Sequence, residues 1–348
     1  MPDSESLQSL ADVCDLEVIA APDLSANSAA LAGGNARPDL LIEVPHGASD
    51  RRHYEATRRR LEADYPADLV EFFLVNTDVG AFECARSIAR IVTDPEGHPE
   101  LAIHLSAVGG EMRRRFDRVL IVRGLVARTF VDLNRVIDAR PAGAVVAREG
   151  DRGAMTPGLA PYVSSARDRE KLLELHESYQ KLASRAYDFV LGGAGAGAEN
   201  ACGLILHTYA PRSVSIDRVD DGIVAALREA YEPDAYAQLP RRPDVDLITE
   251  ASGAECDAVL LAPVELVQAV KLNFERIGIE ARENATYRLD ESTMGYVHSA
   301  RYPGRLLCLE VNRELLVEEF TPFEEMSISV AKARRMAAPI AAALLITD

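Results

Sequence analysis

Short apolar runs recur along this chain, and each stops at a polar residue and gives way to a stretch with helical spacing. That alternation restricts the fold more than any other feature. Residues 40–44 stop at Pro45, residues 203–206 stop at His207, and residues 306–311 form the strongest run of all. Short continuous apolar runs suit strands that are buried on both faces, as in a parallel sheet. Further strands are expected at 69–75, 118–122, 129–133 and 258–262, and an extended stretch opens at 278–281. Helical spacing covers 51–65, 81–92, 165–191, 219–231, 264–276 and 327–345. Alternation of this kind predicts an α/β fold, with a central, largely parallel sheet flanked by helices on both faces. No internal repeat or linker stands out, so residues 1–348 are expected to form a single α/β domain. Residues 139–165 and 232–257 read as loop excursions near the site, the first as a lid. Residues 192–200 carry Gly-x-Gly-x-Gly, but they follow a helix instead of a strand, so a phosphate loop fails its context test.

Charge narrows the class of partner. Lys and Arg number 38 against 55 Asp and Glu, a formal charge of −17. On average a polyanion is repelled, which argues against nucleic acid and anionic membrane surfaces and leaves open a local basic pocket for a small substrate with a carboxylate. The five cysteines are widely spaced and form no Cys-x-x-Cys, which disfavours a thiolate zinc cluster and fits a reducing compartment. The first residues lack a basic segment followed by an apolar one, and no uninterrupted apolar run reaches about 18 residues, so a cytoplasmic protein is expected.

The ends of the expected strands hold the candidate chemistry, where open α/β sheets place it. His46 follows 40–44, Asp78 follows 69–75, and His207 follows 203–206. Two imidazoles and one carboxylate with an open fourth position form a recurrent catalytic zinc set. Each histidine could equally be a structural hydrogen-bonding residue. A second cluster, Asp132-Leu133-Asn134-Arg135, also sits at an expected strand end, and strand alternation would point Asp132 and Asn134 to one side. Asp132 could orient a metal-bound imidazole, and Asn134 and Arg135 could clamp a substrate carboxylate. The plainer alternative is a surface turn with a salt bridge. Glu310 lies inside a very apolar run, as a general base with a raised pKa or as half of an ion pair with Arg313 or another arginine.

Six segments in order resemble the N-formylglutamate amidohydrolase family, within the wider zinc-carboxypeptidase-like and aspartoacylase-like group. They are VPHGA at 44–48, NTDVGAFECA at 76–85, RTFVDLNRVID at 128–138, LHESYQKLASRA at 175–186, LILHTYAP at 204–211 and LCLEVNRELL at 307–316. The resemblance spans about residues 40–320. It implies a zinc-carboxypeptidase-like fold with a central mixed sheet, one catalytic zinc ion, and hydrolysis of a linear amide such as N-formylglutamate. It implies His46 and His207 as ligands, Asp78 as the acidic ligand with Asp50 in reserve, and Asp132 behind the metal. It also implies Arg135 as carboxylate clamp, Arg128 as oxyanion stabiliser and Glu310 as general base. His176 matches a family histidine, facing the site or packed in its helix, and His298 is a weaker candidate. The carboxypeptidase branch carries an acid where this chain has Ser49. The family carries Asp where this chain has Ile205, and residues 212–260 match poorly. A peptidase or other deacylase of the group, or a ligand-binding relative without turnover, is the alternative.

Overall fold

A computed structural model describes residues 7–24, 37–106, 111–137, 158–192, 200–216, 219–251 and 259–347. The glycine-rich connector and most of the expected lid at 139–165 lie outside these residues. The strands are β1 (Cys14–Ala20), β2 (Leu40–Val44), β3 (Arg118–Gly124), β4 (Cys202–Tyr209), β5 (Val245–Ile248), β6 (Glu250–Ala251), β7 (Val259–Leu260), β8 (Ala281–Glu283) and β9 (Leu306–Asn312). The helices are α1 (Arg51–Arg58), α2 (Leu69–Asn76), α3 (Ala81–Thr93), α4 (Ala102–Leu105), α5 (Ala166–Leu191), α6 (Ile223–Ala230), α7 (Pro233–Gln238), α8 (Val264–Arg276), α9 (Met294–Arg301) and α10 (Val330–Ile346).

Seven strands form one mixed sheet in the order β1-β3-β2-β4-β9-β5-β8. β3, β2, β4 and β9 run parallel, whereas β1 pairs antiparallel with β3 and β5 antiparallel with β9. Alternation sorts each strand between two cores. Leu40, Ile42 and Val44 face a core shared with Ile88 of α3, Val270 of α8 and Ala337 of α10. Leu41, Ile205 and Cys308 face the other, shared with Tyr179 and Ala183 of α5. Helices therefore cover both faces. Glu43 is buried on the α5 side, where the hydroxyls of Tyr179 and Tyr187 donate to its carboxylate at 2.8 and 2.6 Å. Those bonds offset the cost of burying a carboxylate.

Two expected strands are absent. Residues 69–75 belong to helix α2, because a continuous apolar run carries no period and burial on several sides suits a helix equally well. The parallel crossover from β2 to β3 uses α1 to α4 as its connection. Residues 129–133 form turns, with a single bridge from Val131 to Leu159. Asp132 closes its own turn by accepting from the Asn134 N–H at 2.8 Å, which competes with strand pairing. The excursion at 232–257 contains α7 and β5, so it contributes to the sheet. Among the described residues no helix is long and apolar enough to cross a membrane.

Candidate metal centre

The site gathers at the carboxyl ends of β2, β4 and β9, on the face that carries α5. Pro45 lacks the N–H needed to extend β2, and the chain turns there to present His46. The corner is tight. A side chain at Gly47 would collide with Arg123, and one at Gly124 with the Pro45 carbonyl, while Arg123 Nε donates to Gly47 O at 2.8 Å. Asp78 occupies the link between α2 and α3, where the sequence pointed to a strand end. Gly80 follows it at φ +86°, a left-handed conformation that favours glycine, and a Cβ there would also strike Leu316. The Thr77 hydroxyl donates to Ala48 O, and Thr208 Oγ1 donates to Val79 O at 3.1 Å, so the link is tied to both histidine-bearing segments. His207 lies within β4, two residues short of its end and opposite Glu310 of β9.

These elements bring the three expected ligands together. Asp78 Oδ2 lies 3.2 Å from His46 Nδ1 and 2.8 Å from His207 Nδ1, and the two rings are 5.0 Å apart. All three are buried, and their donor atoms lie within 4.8 Å of one another. Among the described residues no other group of three or more His, Cys, Asp or Glu side chains converges in this way. Asp50 is elsewhere, capping α1 by accepting from the N–H groups of Arg52 and His53. On the far side of His46, Nε2 meets Asp132 Oδ1 at 2.6 Å, and Arg128 Nε donates to Asp132 Oδ2 at 2.9 Å. Asn134 Oδ1 accepts from the Gly295 N–H, and its Nδ2 lies 3.3 Å from His207 Nε2.

Charge in this cluster is nearly self-compensating. Burial raises the Asp78 carboxyl, but the His46 and His207 imidazoles outweigh it and hold the group far below the usual carboxylate range. Burial likewise opposes ionisation of Asp132, and Arg128 and His46 overcome it. For His46, burial and Arg128 disfavour the cation, yet Asp132 and Asp78 together leave its pKa above the ordinary value. Glu310 behaves in the opposite sense. Burial pushes its carboxyl up to about 7, opposed by His207 and assisted by Asp78. The alternative reading of Glu310, an ion pair with Arg313, is not the arrangement found: Arg313 Nη2 lies 3.8 Å from Asp78 Oδ1. The Oε2 atom of Glu310 is buried without a hydrogen-bond partner.

A cavity of about 210 Å³ opens over the cluster, bordered by His46, Arg128, Asn134, Arg135, His207 and Glu310. Arg135 is 8% exposed, with Nη1 donating to Ser292 Oγ and Nε 3.8 Å from Asp132. His176 does not border the cavity, and its Nε2 meets the Arg135 carbonyl at 2.8 Å. Of the two readings of His176, substrate contact at the site or packing in its helix, the second matches its position: it supports the Arg135 backbone from within α5. His298 also stands apart, stacked on Tyr187 at 3.9 Å with both ring nitrogens unpartnered. Ile205 is fully buried in β4.

Three residues near the site escaped the sequence. Arg242 borders the cavity between the rings of Tyr209 and Tyr287, donating to Ser213 Oγ and Tyr287 Oη at 3.1 Å each. Asp246 lies opposite Glu310 on β5 and accepts from the N–H groups of Ala285, Thr286 and Tyr287, which fixes the loop that carries Tyr287 to the cavity. The buried acid within the Val-Asp-Leu run was the available signal for Asp246. Arg242 and Tyr287 carry no local pattern.

No protein-family model matches the chain, and no curated protein matches it. Among solved structures, it is similar to an N-formylglutamate amidohydrolase from Ralstonia eutropha JMP134, with 17% identity and a TM-score of 0.41 over 95% of this chain and 96% of that one. It is also similar to a gene product of Agrobacterium tumefaciens, with 13% identity and a TM-score of 0.41 over 95% and 93%. A metallo-carboxypeptidase from Burkholderia cenocepacia follows, with 10% identity and a TM-score of 0.34 over 95% of this chain and 60% of that one. Likeness at this level carries no information about chemistry.

Proposed function

We propose that this chain is a metal-dependent amidohydrolase that cleaves the linear amide of an N-acyl amino acid, N-formylglutamate being one candidate, with one zinc ion held by His46, Asp78 and His207. The observation that carries the reading is the placement of Asp78 Oδ2 against Nδ1 of both imidazoles, in a buried pocket beside an unpaired glutamate. The donors are of the nitrogen and carboxylate kind that zinc takes. The His46 contact to Asp132 is the outer bond that usually orients a zinc-binding imidazole. A bound divalent ion supplies Lewis acidity and makes water a nucleophile at neutral pH.

The chain's own residues supply the rest. Glu310 Oε2, held protonatable near neutrality by burial, takes the proton of the attacking water and passes it to the departing amine nitrogen. Arg128, anchored by Asp132 and with Nη1 3.9 Å from Asp78 Oδ1, borders the cavity and stabilises the developing oxyanion. A single well-aimed donor of this sort is worth about 3–4 kcal/mol. Asn134 and Arg135 grip the substrate carboxylate at the cavity wall, Arg135 with the planar fork that suits it. Asp132 positions His46 and Arg128 together, and His176 positions Arg135 through its backbone.

The test is a panel of N-formyl amino acids, N-acetyl amino acids and short peptides, assayed with the zinc-loaded protein. Release of free amino acid from the N-acyl substrates is the expected result. Release of C-terminal residues from peptides alone would instead make the chain a carboxypeptidase.

A further inference from the structure

The cavity has two unlike halves. One holds the polar cluster described above. The other is built by the segment between β4 and β5, and every described residue of 214–231 that reaches the cavity is apolar or aromatic: Val214, Ile216, Val219, Ile223, Leu227 and Tyr231. Ile223, Leu227 and Tyr231 are four residues apart, so α6 and its end turn one stripe toward the cavity. Phe72 and Val75 of α2 add to the same wall. α6 is fixed to α2 from outside, where Arg228 bridges Glu71 at 2.7 Å and Asp68 at 3.3 Å.

Between Val214 and Tyr231 the described residues at the cavity carry no charge, and polar groups on this side are the Tyr231 hydroxyl and the Asn76 amide of α2. Six described arginines border the cavity: Arg128 and Arg135 face Asp132, Arg288 faces Glu250 and Arg313 faces Asp78, while Arg212 and Arg242 stand at the two ends of this segment, Arg212 donating to Leu239 O and Arg242 to Ser213 Oγ and Tyr287 Oη. A glutamate side chain laid against Ile223 and Leu227 would lose its water with no cation beside it, whereas a branched or aromatic group would release ordered water from both surfaces. Resting on the amide-hydrolase reading, we infer that the substrate carries a bulky apolar group on one side of its scissile amide, seated against the wall formed by α2, α6, Val214, Ile216 and Val219. The polar half takes the carboxylate and the amide, and the apolar half sets specificity.

The experiment uses the full zinc-loaded chain. Values of kcat/KM are measured for N-formylphenylalanine, N-formylleucine and N-octanoylglycine against N-formylglutamate and N-acetylglutamate, and binding of N-acetylphenylalanine and N-acetylglutamate is measured by calorimetry. At least one apolar substrate is expected to exceed N-formylglutamate by tenfold or more, a factor of the size that a hydrophobic pocket supplies. Tighter binding of N-acetylphenylalanine than of N-acetylglutamate supports the inference even if no amide is cleaved, an outcome that would remove the hydrolase reading alone. Turnover with equal or better use of the glutamate compounds overturns the inference and leaves the hydrolase standing. Ile216→Asp and Val219→Asp, at partly exposed positions of the wall, are expected to reduce the apolar-to-acidic preference about tenfold, and a folded variant of either kind with its preference intact counts against the wall.

Discussion

Glu310 stands in a row across three strands, with His207 on one side and Asp246 on the other. Of the three, Glu310 has a carboxylate oxygen, Oε2, that is buried with no partner in the chain, which leaves it available to a proton in the cavity. Glu310→Gln removes the proton acceptor without touching a ligand. It is expected to lower kcat by about 10²–10⁴-fold with zinc content unchanged by elemental analysis. Asp132→Ala acts through its neighbours, because it frees His46 Nε2 and Arg128 Nε at once. Zinc affinity, measured by competition with a chromogenic chelator, is expected to fall about 10–100-fold. The residue types of this cluster were legible in the sequence, because polar residues that end apolar runs are conspicuous. Their supports were not. The amide of Asn134 depends on a backbone N–H in α9, and His176 reaches Arg135 across the fold, contacts that only tertiary packing creates.

At the scale of elements, the site depends on how α5 is seated under the sheet. Asp168, fully buried in the first turn of α5, accepts from the N–H groups of Glu62 and Ala63 at 2.8 and 3.0 Å and from Tyr65 Oη at 2.9 Å. Burial disfavours its charge, but these donors outweigh burial and lower its pKa. A carboxyl lowered on folding contributes stability above its unfolded pKa and loses it as pH falls through the lower folded value. Asp168→Ala is therefore expected to cost about 2–4 kcal/mol in urea denaturation at pH 7, and less at acidic pH, where the wild-type group is itself protonated. Helices with strong spacing were legible in the sequence: α3, α5 and α8 match their expected spans closely. Strands β2, β4 and β9 announced themselves by apolar runs bounded by polar residues. Helix α2 did not, since Leu-Val-Glu-Phe-Phe-Leu-Val-Asn has neither a two-residue nor a 3.6-residue period. The turn at 129–133 mimicked a strand by alternation, and the Asp132 side chain decided otherwise.

For the whole molecule, a formal charge of −17 sets a background of self-repulsion against which the cluster of acids at the site must be held. Added salt should screen that repulsion, so a modest rise in Tm is expected between about 0.01 M and 0.15 M ionic strength. A metal that binds only the folded chain adds RT ln(1 + [L]/Kd), about 4 kcal/mol at a thousandfold excess over Kd, so a chelator is expected to lower Tm by several degrees. The central claim is that His46, Asp78 and His207 hold one divalent ion, and its most direct test is a zinc titration of the chelator-stripped protein followed by elemental analysis of the desalted product. One equivalent retained by the wild-type chain and none by His46→Ala is the predicted result. Retention of the same amount by both, or of none by the wild type, would contradict it.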